Sequence, residues 1–287
     1  MNLLAGILYL CATPIGNLED MTFRAVRILG EVDFIAAEDT RHTRKLLTHF
    51  DLHTALISYH EHNKFERGPE LIQLLLEGKN IAVVSDAGLP GIADPGSHLA
   101  ELAIAEKITV TPLPGANAAL SGLICSGLDT TRFLFVGFLP KTTKKRREVL
   151  AGIVEDKATL LFYESPHRLK DTLKELVDTF GDRKAVACRE LTKKFEEFVR
   201  GTLVSLQEYF QQHQPRGEFT LIIEGNTNVN EEIIEQAIDE GSLVDAVQAL
   251  MEKGIEKKAA MKEVAVRYKV AKREVYQALL GTEKKVP

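Results

Sequence analysis

From residue 6 to residue 126 the chain alternates short apolar runs with segments of helical periodicity, and this alternation is the feature that most restricts its fold. Strands are predicted at 6–12, 33–37, 81–85 and 109–113, and helices at 22–30, 40–49, 68–77, 96–106 and 116–126. Such a β-then-α rhythm leads to a largely parallel sheet covered by helices on both faces. Gly137-Phe138-Leu139-Pro140 reads as a stop, after which a second α/β series begins. It comprises helices at 146–154 and 168–180 and strands at 158–163, 185–188, 198–202 and 218–224, with more antiparallel character. Gly225-Asn226-Thr227-Asn228-Val229-Asn230 reads as a linker, and the remainder as helical. The expected domains are 1–118, 119–228 and a small helical one at 231–287.

A length of 287 residues suits two domains and an appendage, and 45% apolar with 27% charged residues is ordinary globular composition. No segment approaches the roughly 18 consecutive apolar residues needed to span a membrane. Met1-Asn2-Leu3-Leu4-Ala5-Gly6 has no basic leader pattern, so a cytoplasmic protein is expected. Cys11, Cys125 and Cys188 are odd in number and lie apart in apolar runs. They read as buried thiols, with neither a disulfide framework nor a metal cluster. The net charge of −5 argues against a globally basic nucleic-acid binder. Basic residues nevertheless concentrate in Lys141-Thr142-Thr143-Lys144-Lys145-Arg146-Arg147 and in the C-terminal tail.

The strand at 81–85 empties into Ser85-Asp86-Ala87-Gly88-Leu89-Pro90-Gly91-Ile92-Ala93-Asp94-Pro95-Gly96. Glycine lets a backbone approach a ligand without a Cβ, and proline fixes the loop beforehand. Ligands of open α/β sheets sit outside the carboxyl ends of strands, where this loop falls. The competing reading is a structural turn capped by Asp94. Thr13-Pro14-Ile15-Gly16-Asn17 follows the first strand with a single glycine, so it is neither a dinucleotide fingerprint nor a Walker loop. Glu38-Asp39-Thr40-Arg41 ends the second strand and reads either as a helix cap or as a base beside a cation. Pro114-Gly115-Ala116-Asn117 opens a helix with small residues, which suits close ligand approach or close helix packing. Tyr163-Glu164-Ser165-Pro166-His167-Arg168 is placed to face these loops across a cleft. Arg189-Glu190-Leu191-Thr192-Lys193 reads as a salt bridge or a substrate clamp. In the tail, 257–268 and 271–280 form a helix pair about Lys269-Val270, either a helix-turn-helix or an accessory domain with solvated lysines.

Together, Tyr9 to Leu18, Ala37 to Arg41, the 85–96 loop, Pro114-Gly115-Ala116, Gly137 to Pro140 and Glu164 to Arg168 resemble the tetrapyrrole methylase superfamily, in its bacterial branch acting on small-subunit ribosomal RNA. The resemblance implies two α/β domains of tetrapyrrole-methylase type with the cofactor cleft between them, plus a small C-terminal helical domain. It implies S-adenosylmethionine as cofactor, 2′-O-methylation of a cytidine ribose in the decoding region of 16S rRNA, the 30S subunit or its rRNA as partner, and a homodimer. It carries cofactor contacts onto Pro14, Ser85, Asp86, Ala87, Gly88, Leu89, Ile92, Ala116, Asn117 and Phe162. Glu38, Asp39 and Arg41 are the catalytic candidates, and Lys141, Lys144, Lys145, Arg146, Arg147 and Arg168 the candidates for RNA phosphates. No metal and no membrane are expected. Two rivals stand: a small-molecule, tetrapyrrole-like methyltransferase, and a ligand-sensing helix-turn-helix regulator.

Overall fold

The computed structural model describes residues 5–92, 94, 96–227, 243–268 and 270–283, with backbone alone at 280–283. The predicted alternation forms a five-stranded parallel sheet in the order β3-β2-β4-β1-β5. Its strands are β1 (Ile7–Cys11), β2 (Phe34–Ala37), β3 (Ala55–Ser58), β4 (Ile81–Val84) and β5 (Thr109–Leu113). Interleaved are α1 (Phe23–Glu31), α2 (Thr40–His49), α3 (Lys64–Leu76) and α4 (Gly96–Ala105). Successive side chains of a strand point to opposite faces. Ile81 and Val83 therefore join one core with Leu71, Leu75 and Leu99, while Ala82 and Val84 join the other with Ile28, Leu29 and Leu47. Both faces are buried, which is why β4 reads as an unbroken apolar run.

The second sheet runs β6-β7-β10-β8-β9, from β6 (Phe133–Phe138), β7 (Thr159–Glu164), β8 (Lys184–Arg189), β9 (Glu197–Thr202) and β10 (Phe219–Ile223). Only β6 and β7 are parallel; the other pairings are antiparallel, as expected for this half. α5 (Ala118–Ser126) packs on β7 and β10, with Gly122 against Ile222 and Cys188. α6 (Thr143–Ala151), α7 (Leu169–Phe180) and α8 (Leu203–Gln212) complete this half. Both sheets fall in one compact unit, 1–153 with 158–224.

Three elements were not foreseen. β3 is a short strand at the sheet edge with an exposed first residue, so its apolar signal is weak. β6 contains Gly137 at φ +72° and a register shift between Phe135 and Gly137, so its glycine reads locally as a stop. α8 starts at a capping box of Thr202 and Ser205, a weaker signature than one with Glu or Gln.

Residues 154–157 and 225–287 form a second compact unit. Its described helices are α9 (Leu243–Glu252), α10 (Lys257–Arg267) and α11 (Lys272–Glu283), with a core of Ala246, Val247, Leu250, Ala260, Met261, Val264, Val275 and Leu279. Asn228, Val229 and Asn230 of the expected linker, residues 231–242 and Lys269 of the expected turn lie outside the described residues. Cys11 and Cys188 are buried as expected, whereas Cys125 is exposed near the end of α5. Among the described residues, no helix is long and apolar enough to cross a membrane, and no group of three or more His, Cys, Asp or Glu side chains suits a metal.

Candidate functional site

Four loops leave the carboxyl ends of β1, β2, β4 and β5, and hydrogen bonds tie two pairs of them together. The Thr13 N–H donates to Gly88 O at 2.9 Å, and the Gly88 N–H returns to Thr13 O at 3.0 Å. The Thr13 hydroxyl also donates to Ser85 O at 3.2 Å. Gly88 sits at φ +83°, where a Cβ would press on Ile15, so this junction of two loops requires glycine. Farther along, the Asp94 carboxylate accepts from the N–H groups of Gly91 and Gly96 at 2.8 Å each. Asp94 thus acts as the turn lock that the competing reading proposed, and it also lines the cleft described next.

These loops and one end of the second sheet line a cleft of about 520 Å³, within the usual range for ligand sites. Ile15, Glu38, Ser85, Asp86, Ala87, Gly88, Leu89, Ile92 and Asn117 line one wall. Phe138, Tyr163, Glu164, Ser165, Pro166, Cys188, Glu190, Leu191, Lys193 and Glu218 line the other. The 85–92 segment therefore stands where expected. Ala93 and Pro95 lie outside the described residues.

On the first wall, the Asp39 N–H donates to Asp86 Oδ1 at 3.1 Å and the Asp86 N–H reaches Glu38 Oε2 at 3.4 Å. Burial, followed by the Asp86 charge, pushes the Glu38 carboxyl above its ordinary value. Asp39 behaves differently. It caps α2 by accepting the Arg41 N–H at 2.8 Å, and its carboxylate pairs with the Arg41 guanidinium at 2.7 Å. The Arg41 hydrogen bonds hold Asp39 well below the usual carboxylate range. Neither Asp39 nor Arg41 lines the cleft, so of the three catalytic candidates only Glu38 does.

Several polar groups of the second wall already have partners within the protein. Glu164 is buried, accepting the Ser165 N–H at 2.7 Å and the Thr172 hydroxyl at 2.6 Å. The Tyr163 hydroxyl accepts the Ala119 N–H at 3.3 Å, and its ring meets Phe135 and Phe138 at 5.1 and 5.5 Å. Burial raises the Tyr163 hydroxyl and pushes the Cys188 thiol up to about 12. Lys193 Nζ lies 3.0 Å from Glu190 and 2.7 Å from Glu218.

Several expectations need correction. Phe162 is fully buried, and because it faces opposite to Tyr163 in β7, Tyr163 meets the cleft in its place. Pro14 and Ala116 stand just outside the lining, which passes to Ile15, Asn117 and Ala118. Asn117 also caps α5 through the Leu120 N–H. Arg146 is buried and paired through two guanidinium nitrogens with Glu175, so it is unsuited to meet RNA. Lys141, Lys144, Lys145 and Arg147 are exposed. Arg168 turns inward, donating to Leu139 O at 2.9 Å and Pro140 O at 3.1 Å. Glu218, Phe138 and Cys188 are lining residues that sequence reasoning did not single out as contacts. No local pattern distinguishes them from other residues at the ends of strands.

Residues 7–207 match the family described as Tetrapyrrole (Corrin/Porphyrin) Methylases. A Halalkalibacterium halodurans protein named Ribosomal RNA small subunit methyltransferase I is 53% identical, over 94% of this chain and 93% of its own. Proteins of the same name from Bacillus subtilis and Synechocystis are 48% and 47% identical, over 95% and 97% of this chain and 94% and 99% of theirs. Among solved structures, uroporphyrin-III-C-methyltransferase of Thermus thermophilus superposes with a TM-score of 0.54 at 19% identity, covering 76% of this chain and 94% of that one. A diphthine synthase does so with a TM-score of 0.57 at 14% identity, covering 77% and 90%. The solved structures establish the likeness of fold.

Proposed function

The chain belongs to the tetrapyrrole (corrin/porphyrin) methylase family, and from that premise we propose that it methylates the ribose 2′-oxygen of a cytidine in the decoding region of 16S rRNA. It is a methyltransferase, and S-adenosylmethionine is its methyl donor. The regulator reading falls with that membership. The observation that carries the RNA reading is the extent of the likeness. Similarity to the rRNA methyltransferases covers 94–97% of the chain and reaches into the C-terminal helical unit, whereas the two solved neighbours cover 76–77%.

The cleft fits the donor. Its carboxylates Glu38, Asp86 and Asp94 complement a sulfonium and an ammonium group, and Ile15, Leu89, Ile92 and Leu191 offer apolar surface for a base. We assign donor contacts to Ser85, Asp86, Ala87, Gly88, Leu89, Ile92 and Asn117. Bound there, S-adenosylmethionine supplies an electrophilic methyl group. The two walls would hold the ribose oxygen in line with that methyl group, for transfer that breaks the sulfur–carbon bond and leaves S-adenosylhomocysteine, and such positioning can lower a barrier by up to about 7–11 kcal/mol. Glu38 takes the hydroxyl proton: it is the cleft-lining acid of the catalytic candidates, and its raised affinity for a proton suits a base. It acts only when ionised, so activity climbs as pH rises through its raised value.

We assign RNA phosphates to Lys141, Lys144, Lys145 and Arg147. The substrate is the 30S subunit or its rRNA, which places the protein in the cytoplasm. We propose that the larger unit comprises two α/β domains, 1–118 and 119–228, beside a helical domain at 231–287. We assign the homodimer contact to the exposed apolar side chains Leu120 and Ile124, one turn apart on α5. Sedimentation of Ile124→Asp as a monomer would support that contact, and an unchanged dimer would remove it.

The test of function is transfer of labelled methyl to 30S subunits lacking the modification, with the labelled nucleotide mapped and Asp86→Ala as control. Label on a 2′-oxygen in the decoding region, lost in the variant, is expected. Donor binding without RNA label would assign the cleft to a small-molecule acceptor.

A further inference from the structure

Among the described residues that line the cleft, Lys193 is the one cation in the company of Glu38, Asp86, Asp94, Glu164, Glu190 and Glu218. We propose that Lys193 anchors the phosphodiester beside the target ribose and that Glu218 holds that phosphate's place until RNA arrives, an inference that rests on the RNA reading above.

The two partners of Lys193 are unequal. Glu190 is held: its side chain is 18% exposed, and Oε1 accepts both Lys193 Nζ at 3.0 Å and the Glu218 N–H at 2.9 Å. Glu218 reaches the same ammonium at 2.7 Å from a side chain that is 79% exposed. One carboxylate is thus part of the wall, and the other leans in from solvent and can swing away. Exchange of Glu218 for a phosphate oxygen keeps the local charge balance, with one anion leaving and one arriving.

The surrounding backbone is shaped to present this lysine. Glu190 and Thr192 adopt left-handed φ of 49° and 65°, unusual for residues with side chains, and Gly217 sits at +78° where a Cβ would collide with the Glu190 carboxyl. Strained backbone of this kind concentrates at ligand clamps. Across the cleft, a Cβ on Gly16 would collide with the Lys193 stem, so the first loop leaves a slot for it. The lysine is therefore gripped by both halves of the unit while its ammonium stays within reach of solvent.

An anion from the RNA backbone is the partner that suits this position. On the RNA reading the donor and the target nucleoside share this cleft, and the phosphates that flank the target ribose then fall at its rim. There the carboxylates would repel them, and Lys193 is the lining group able to offset that repulsion. The donor's own carboxylate is the alternative anion, and the experiment separates the two.

In the full-length protein, Lys193→Met keeps the stem in the Gly16 slot and removes the charge. S-adenosylmethionine affinity measured by calorimetry without RNA should stay within about twofold. The KM for 30S subunits should rise roughly 10- to 100-fold, the range for one hydrogen bond to a charged group. The slope of log affinity against log salt should fall by about one. Lys193→Arg should restore much of the binding, and Glu218→Gln should lower KM several-fold by removing the competing anion. Loss of donor affinity in Lys193→Met, an unchanged KM, or a raised KM in Glu218→Gln would overturn the proposal while wild-type protein still methylates 30S subunits. If wild-type protein fails to methylate them, the RNA reading falls and the proposal with it.

Discussion

Glu38 and Glu164, on the two walls of the cleft, are acids of opposite character. On the second wall, Glu164 is buried and saturated by Ser165 and Thr172, and behind it Glu175 is locked to Arg146. On the first, Glu38 is half-buried, and burial, followed by the charges of Asp86 and Asp94, disfavours its ionised form. A saturated carboxylate contributes shape, because its lone pairs are occupied before any ligand arrives. A carboxylate pushed toward its proton is the one with capacity left for chemistry.

Substitutions that exchange these characters test the distinction. The largest effect is expected for Glu38→Gln, which keeps the volume and removes the base: kcat should fall about 10²- to 10⁴-fold, measured with 30S subunits in donor excess. The same substitution should leave folding intact and make the protein slightly more stable at neutral pH. The sign follows from linkage: a carboxyl raised in the folded state binds protons more tightly there, so ionising it costs stability as pH rises from the unfolded value through the folded one. A denaturant titration showing Glu38→Gln less stable at pH 7 would contradict this picture.

Next in size is Arg146→Ala. Stranding the Glu175 carboxylate should cost about 3–5 kcal/mol, while Arg147→Ala, one residue on, should cost less than about 0.5 kcal/mol. The pH dependence runs opposite to that of Glu38. Arg146 holds the Glu175 carboxyl below its ordinary value, so the pair's contribution is present above the unfolded carboxylate value and disappears as pH falls through the lowered one. Equal melting points for the two arginine variants would mean that the buried pair is dispensable. Glu164→Ala should cost about 1–3 kcal/mol by leaving the Thr172 hydroxyl and Ser165 N–H unsatisfied. Its methyl transfer, assayed well below its melting temperature, should survive.

The smallest effects belong to the exposed run. Lys144→Ala and Lys145→Ala should each leave stability within about 0.5 kcal/mol, and each should lower the salt slope of RNA binding by about one. Full methylation with an unchanged salt slope would remove this helix from the RNA-binding surface.

Much of the first sheet was legible because strand and helix periods alternate openly and each strand ends in a recognisable loop; β4 and the 85–92 segment are the clearest instance. β6 was not, because Gly137 reads locally as a stop and becomes strand only through pairing with β7. The candidate site divides along the same line. Glu38, Ser85 to Leu89, Ile92 and Asn117 line the cleft as sequence reasoning expected, since their loops follow directly from strand ends. Arg146, Arg168 and Phe162 do not. Whether a side chain is spent or available depends on partners distant in the chain, such as Glu175 at a separation of 29 residues, and on which face of a strand it occupies.

Local periodicity and short motifs suffice to specify the alternating architecture, the family and the loops that surround the cleft. Tertiary structure alone decided which charges remain available. Asp86 and Glu38 meet across 48 residues, and Lys193 meets Glu218 across 25. Burial and pairing, which set the chemistry of an ionisable group, arise only when the folded chain brings such residues together.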